Sequence, residues 1–421
     1  MSRRSAAALV AVPFLLAALQ VAAVGALSPQ TAPPPTPVPP NGSPSPFLDR
    51  LETPSDPLPV PTVEAASVLL VDLSLGQVLF ERAANEVRPV ASLTKVMTAL
   101  LVLERDGDRL GRPVRVHPDA VFGRRDFGAG STLGLRPGER VSVEGLLGGL
   151  LLGSANDAAE ALAIDASGSV ARFVERMNAR AADLGMRRTR FVSPHGLDDD
   201  GRSTASDLLL LLRAALEVPA FRDLVSRRAV AIASAGRTRR IQNRNALLWL
   251  YPGATGVKTG STPGAGYCLI ATARRGDREL AAIALGSRDE VFSDAAALLD
   301  HGFEAYELRT LVRAGERLGS VAVRGGSVPV VAGEDVVALV GTGPETVVER
   351  SIVARAGVGY PPPAGATVGW VTLRGPSGPI GRGTIVAADV GPPVAPGGPW
   401  WARAAAALAG AVTAAIEGLF G

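Results

Sequence analysis

The chain has 421 residues, 47% of them hydrophobic, and a formal net charge of only +3, from 43 basic and 40 acidic side chains. That length can bury a sizeable core in two or three domains, and so balanced a charge gives no reason to expect nucleic-acid binding. The one cysteine, Cys268, rules out an intramolecular disulfide and any cysteine-built metal site.

Residues 1–26 carry Arg3 and Arg4, an apolar run and the small residues Val24-Gly25-Ala26, the pattern of a secretory signal peptide. An uncleaved anchor is the alternative, and either reading exports the chain. No cysteine follows the apolar run, which excludes lipoprotein processing. Residues 27–62, with runs such as TAPPPTPVPP, predict an extended Pro-rich spacer.

Residues 63–307 read as one mixed domain. The apolar runs Ser67–Asp72 and Gln77–Glu81, split by Leu73-Ser74-Leu75-Gly76, predict a hairpin. A buried helix is predicted to start at Ser92. The glycine-rich stretch Gly128–Gly134 lacks the lysine of a phosphate loop and reads as an ordinary loop. Helices are predicted over Val141–Leu152, from Ser154-Ala155-Asn156-Asp157 to Asp165, over Val170–Leu184 and over Asp207–Leu216. Tyr267–Ala273 and Leu280–Leu285 flank the turn Arg274-Arg275-Gly276-Asp277 and predict an antiparallel pair, followed by a helix from Ser293 to Ala305. Residues 308–390 carry six short β-branched runs with turn residues between them, a small all-β domain. After a second linker, 391–399, residues 400–420 place Trp401, Leu408, Val412, Ile416 and Leu419 on one helical face. Such a helix is about 30 Å long. Its polar stripe favours an anchor lying in a membrane interface over one that spans it or docks on protein.

Of the 43 basic residues only two are lysines, Lys95 and Lys258. Arginine keeps its proton in a protein, whereas a buried lysine can lose it. Lys95 closes Ser92-Leu93-Thr94-Lys95, one helical turn after Ser92 and on the same face. Alone, that pair reads as a helix cap and a surface charge. Ser154-Ala155-Asn156 and Lys258-Thr259-Gly260-Ser261 follow in order on an exported chain. Together the three motifs describe acyl transfer. Ser92 attacks an acyl carbon, and neutral Lys95 takes its proton. Ser154 passes that proton towards the leaving nitrogen, and Asn156 hydrogen-bonds a peptide-like substrate. Lys258 keeps Lys95 deprotonated by like charge and attracts an anionic substrate, whose carboxylate Thr259 binds. The N–H groups of Ser92 and Ser261 supply an oxyanion hole. No metal or organic cofactor is required.

These motifs resemble those of the active-site serine penicillin-recognising enzymes. The segments PVASLTKVMTAL, LGLRPGER, LLLGSANDAAEALA, SPHGLDDDGRSTASDL and YPGATGVKTGSTPGAGYCLIATA are similar to the low-molecular-mass D-alanyl-D-alanine carboxypeptidases over about Ala65 to Ala305. The resemblance implies an α+β, β-lactamase/transpeptidase-like domain: a five-stranded antiparallel sheet flanked by helices, with Ser92 on the central helix and Lys258 on an edge strand. It also implies a peptidoglycan stem peptide as substrate, β-lactams as inhibitors, and a place on the extracytoplasmic face of the membrane. Ala155 departs from the glycine common in this type. Val291-Phe292 stands where relatives carry a carboxylate-binding arginine, so that Arg288 is the nearest replacement and recognition rests more on Thr259 and Lys258.

Rival readings are weaker. His195 with Asp198 or Asp207 lacks a G-x-S-x-G elbow for a Ser-His-Asp hydrolase, so His195 reads as a loop organiser and Asp198–Asp200 as a solvated loop. A β-lactamase would need a Glu-x-x-Leu-Asn stretch between the second and third motifs, which is missing. DD-endopeptidase or transpeptidase activity stays open, as does a non-catalytic wall-binding scaffold on the same fold.

Overall fold

The computed structural model describes residues 61–121, 131–342, 348–375 and 378–388. The segments read as a signal peptide, as all but the last residues of the Pro-rich spacer, as the second linker and as a terminal amphipathic helix lie outside the described residues, as do Gly128–Gly130.

In chain order, β1 (Ser67–Asp72) and β2 (Gln77–Arg82) form the first hairpin, and the short β3 (Arg88–Pro89) leads to a 3-10 turn, Ala91–Thr94. Then come α1 (Lys95–Asp106), β4 (Pro113–Arg115), β5 (Arg140–Ser142), α2 (Val143–Leu151), α3 (Asn156–Ser167) and α4 (Val170–Asp183). Next are β6 (Arg202–Ser203), α5 (Ala205–Leu216), α6 (Pro219–Ser226), β7 (Ala229–Ser234), β8 (Arg237–Gln242) and α7 (Leu247–Leu250). Three long strands follow, β9 (Ala254–Thr262), β10 (Gly266–Arg275) and β11 (Arg278–Ser287), and then α8 (Val291–Glu304).

The main sheet is five-stranded and antiparallel, in the order β2-β1-β11-β10-β9, so β9 is an edge. Its central strands are apolar on both faces because helices cover both. Leu69, Val71, Ile270 and Ile283 point into the core built by α1, α2, α3 and α5. Their neighbours Val68, Leu70, Leu269 and Ala282 point to the other face, against Leu298 and Leu299 of α8. The two-residue period of a strand makes this division. The β1–β2 turn is closed by Asp72, whose Oδ1 accepts the N–H groups of Ser74 and Leu75 at 2.9 and 3.1 Å.

Helix α1 is buried everywhere except at Glu104 and Arg105. An apolar surface on all sides suits a helix at the centre of a domain. It does not start at Ser92 as the sequence suggests. Ser92 lies in the 3-10 turn, and no side chain caps either the turn or the helix. The serine hydroxyl is therefore not spent on a backbone N–H.

Helix α6 and the β7–β8 hairpin are not anticipated by the sequence pattern. The hairpin turn Ala235-Gly236 has φ of 49° and 71°, the signature of a type I′ turn. Its strands are mostly polar or half-exposed, because only one face packs on the domain: Val230 lies over Gly148, and Ile241 over Gly153.

Beyond α8 the chain is all β: β12 (Tyr306–Val312), β13 (Arg317–Val323), β14 (Gly326–Ala332), β15 (Val336–Gly341), β16 (Glu349–Ala354), β17 (Thr367–Gly375) and β18 (Gly378–Ala387). Strands β13-β14-β18-β17-β16 make one sheet, and β12-β15 a ribbon. Strand β12, absent from the sequence reading, starts two residues after α8. The ribbon meets the first domain through Gln77, whose Oε1 accepts the Leu339 N–H at 3.2 Å, and through the Tyr306 hydroxyl, which donates to the Leu79 carbonyl at 3.1 Å.

Candidate active site

The turn bearing Ser92 is pressed from two sides. Gly196 (φ 74°) approaches so closely that a Cβ there would lie 2.1 Å from the Ala91 carbonyl oxygen and 2.6 Å from Thr94 Oγ1. A Cβ on Gly260 of β9 would lie 2.9 Å from the Ser92 nitrogen. Only glycine permits either approach. Ala91 has φ 47° and Ser154 φ 60°. Non-glycine residues in this region cost of order 1–3 kcal/mol each, and such strain clusters at functional sites.

Lys95 is fully buried. Its Nζ is 2.8 Å from Ser92 Oγ and 2.6 Å from the His195 carbonyl oxygen. Burial drives its pKa well below the ordinary lysine value, helped by the positive charges of Lys258 and Arg244. The carbonyl is held by the loop it belongs to. Thr98 Oγ1 donates to the Pro194 carbonyl at 2.6 Å, and the His195 ring accepts the Leu197 N–H on Nδ1 at 3.1 Å. His195 Nε2 lies 3.1 Å from Glu160. His195 thus organises a loop, as its sequence context suggests. Asp207 accepts the Thr189 hydroxyl at 2.7 Å and the Arg188 N–H at 2.8 Å. Asp199 takes the Thr262 hydroxyl and, at 3.1 Å, the Gly264 N–H, tying this loop to the β9–β10 turn.

Ser154 sits between α2 and α3. The backbone around it is pinned by Ala155 N–H to the Gly149 carbonyl at 3.0 Å and by Asn156 N–H to the Ser131 carbonyl at 2.7 Å. Asp157, buried, accepts the N–H groups of Leu133 and Leu135 at 2.8 and 3.0 Å, which fixes the 131–135 loop over the site. Lys258 reaches across from the edge strand: its Nζ is 3.0 Å from Ser154 Oγ and 2.6 Å from the Thr259 carbonyl oxygen. Burial, with Arg244 nearby, lowers its pKa to about 7. Two buried amines thus each lie against a serine hydroxyl, Lys95 against Ser92 on one side and Lys258 against Ser154 on the other.

The cleft between them has a volume of about 390 Å³ and is lined by Ser92, Ser154, Asn156, Thr259, Gly260 and Ser261, with Leu197, Tyr267 and Phe292 as apolar walls. The structure brings together all three motifs. Arg288 does not join them: its side chain is 85% exposed and pairs with Glu64 at 3.3 Å. Arg244 lines the cleft instead. Its neighbours hold it there: Asn243 Nδ2 donates to the Arg227 carbonyl at 3.0 Å, Asn243 Oδ1 accepts the Asn245 N–H at 2.9 Å, and the Arg244 N–H reaches the Leu152 carbonyl at 3.1 Å. Sequence reasoning misses it, because one arginine among 41 carries no mark. Cys268 is buried at the back of the cleft, and burial pushes its thiol up to about 11. Among the described residues, no group of three His, Cys, Asp or Glu side chains is placed to hold a metal.

Comparison with known proteins agrees with this geometry. The sequence profile of the D-alanyl-D-alanine carboxypeptidases matches residues 52–289. The chain is 38% identical over 263 residues to D-alanyl-D-alanine carboxypeptidase DacC of Escherichia coli, covering 60% of this chain and 64% of that one. It is 33% identical over 270 residues to DacF of Bacillus subtilis, covering 62% and 68%. The crystal structure of penicillin binding protein 6B from Escherichia coli superposes with a TM-score of 0.63 at 30% identity, covering 80% of this chain and 99% of that one. The chain belongs to the D-alanyl-D-alanine carboxypeptidase family.

Proposed function

We propose that Ser92 is the nucleophile of a serine DD-carboxypeptidase that removes the terminal D-alanine of peptidoglycan stem peptides. The observation that carries this is the 2.8 Å contact between Ser92 Oγ and a fully buried lysine amine whose proton is easily lost. Ser92 attacks the carbonyl of the penultimate D-alanine while Lys95 takes the hydroxyl proton. The oxyanion is received by the N–H groups of Ser92 and Ser261. Collapse breaks the peptide bond. Ser154, hydrogen-bonded to Lys258, passes the proton taken up by Lys95 on to the departing amine, which leaves Lys95 neutral and Ser154 protonated again. Water then attacks the acyl-enzyme with Lys95 as base, releasing the shortened peptide and restoring Ser92. Thr259, Lys258 and Arg244 hold the terminal carboxylate, and Asn156 the peptide amide. Labelling with a penicillin followed by peptide mass spectrometry tests the assignment. The adduct is expected on Ser92, and an adduct on another residue, or D-alanine release by Ser92→Ala at the wild-type rate, overturns it.

The same reading assigns residues 1–26 to export, 27–62 to a spacer, 63–307 to catalysis, 308–390 to the β-rich domain, and 400–420 to an interfacial membrane anchor on the extracytoplasmic side. It rests on the sequence pattern of those segments. Among the described residues no helix is long and apolar enough to cross a membrane. Deleting Trp400 to Gly421 is expected to release the processed protein from membranes with turnover intact. Persistent association would refute the anchor.

A further inference from the structure

A second cavity, about 620 Å³, adjoins the cleft and shares Ser261 and Tyr267 with it. Its remaining walls include Arg88, Gly286, Ser287 and Arg288. Arg88 arrives there on β3, four residues before Ser92. Its Nε–Nη2 edge faces Gly286, where a Cβ would come within 2.7 Å of Nη2 and 3.0 Å of Nε and only glycine leaves room along that edge. Nη1 donates to Glu86 Oε1 at 2.6 Å. Nε is buried without a hydrogen-bond partner. The Nε–Nη2 edge, the one that takes a carboxylate side-on, therefore has no acceptor among the described residues. A buried, unsatisfied donor is uncommon enough to need an explanation.

The position of this cavity says what would satisfy it. Terminal-carboxylate recognition belongs to Lys258, Thr259 and Arg244. Because the two cavities share Ser261 and Tyr267 at the β9–β10 end of the cleft, a donor peptide running from Ser92 past Ser261 would enter the Arg88 cavity. Tyr267, 47% exposed, stands where the two cavities meet and offers an apolar face to an aliphatic side chain. Arg288 adds a second positive charge at the rim, its Nε 3.3 Å from Glu64.

We propose that this cavity is a donor-side subsite, in which Arg88 binds a carboxylate carried by the residue preceding D-Ala-D-Ala. The proposal rests on the acyl-enzyme reading above. Arg88 thereby becomes a specificity-determining residue: the enzyme prefers an acidic side chain at that place over its amide.

The test compares N-acetyl-L-2-aminoadipyl-D-Ala-D-Ala with the same peptide bearing a side-chain amide, two donors that differ in one charged group. The wild-type full-length protein is expected to favour the acid by about tenfold in kcat/KM, the size of one charge-assisted hydrogen bond near a surface. Arg88→Gln should bring the ratio close to one, while Arg288→Gln lowers it by less. Acylation of each variant by a neutral penicillin reports whether the site is still folded. If Arg88→Gln fails that check, Arg88→Lys, which keeps the charge but not the planar fork, must show a reduced ratio. Equal turnover of both donors by wild type, or a ratio unchanged in the Arg88 variants, overturns the subsite alone. Release of D-alanine from neither donor removes the catalytic reading and the subsite with it.

Discussion

Replacing Lys95 by arginine separates a base from a mere hydrogen-bond donor. An arginine can still donate to Ser92 Oγ and to the His195 carbonyl, the two acceptors that Lys95 Nζ meets at 2.8 and 2.6 Å. It cannot give up its proton. A positioned general base contributes about 10²–10⁴ in rate, which is about 3–5 kcal/mol of barrier at about 1.36 kcal/mol per decade. The substitution also fixes a positive charge in a fully buried position near Lys258 and Arg244, where burial already drives the native lysine's pKa well below its ordinary value. Lys95→Arg should therefore acylate about 10³-fold more slowly or worse, and also lose thermal stability. Lys95→Met, which removes the base and adds no charge, should lose rate with less loss of stability. The assay is the second-order rate of Ser92 acylation by a fluorescent penicillin, with adduct formation followed by intact-protein mass spectrometry and folding by thermal denaturation. Acylation by Lys95→Arg within about tenfold of wild type would refute the reasoning, because no route would then pass through a neutral amine at this position.

The remaining predictions concern charge. Lys258 titrates at about 7 in the free protein and binds the substrate carboxylate only when protonated. The profile of kcat/KM should thus fall as pH rises through about 7, and Lys258→Arg should abolish that alkaline limb while lowering the rate. Arg244→Ala should reduce kcat/KM by about 10–100-fold for a substrate with a free terminal carboxylate, and by much less for its C-terminal amide. The same change removes a charge that depresses Lys258, so the alkaline limb should move up. Glu139, buried, is desolvated in a way that would raise its pKa, but bonds from Arg239 and Ser234 outweigh this and lower it to about 2. Its folded pKa lies below the ordinary glutamate value of 4.5, so its contribution is complete above that pH and lost as pH falls towards about 2. Arg239→Ala should cost about 3 kcal/mol in urea unfolding at neutral pH and shift acid unfolding to higher pH. An unchanged acid limb would count against the pair.

What the sequence made legible was whatever carries a period or a motif. Helix α1 and strands β10 and β11 are long apolar runs, and Ser92, Lys95, Ser154, Asn156 and Lys258 stand in short fixed spacings. The β7–β8 hairpin was opaque because its packed face carries Arg239, turned inwards to Glu139, instead of an apolar side chain, and its turn, Ala235-Gly236, is not a common hairpin pair. Arg244 was hidden for a different reason. Its importance comes from the place to which Asn243 and Asn245 bring it, 14 residues before Lys258 in sequence yet beside it in space. The carbonyl of His195 was invisible in principle, since a backbone acceptor has no letter. Only the folded loop, closed against Ala91 by Gly196, reveals that the amine of Lys95 has a second partner.

The scarcity of lysine has a practical consequence. Both side-chain amines of this chain are buried, at 0% and 1% exposure, within its cleft. Selective incorporation of ¹³Cε-labelled lysine would place isotopic reporters on Lys95 and Lys258 alone, without adding an atom to either amine. A carbon–proton correlation spectrum would then hold two side-chain signals, and Lys258→Arg would assign both by subtraction. The protonation of a base and of its neighbour could then be followed together, in one sample, as a ligand is added.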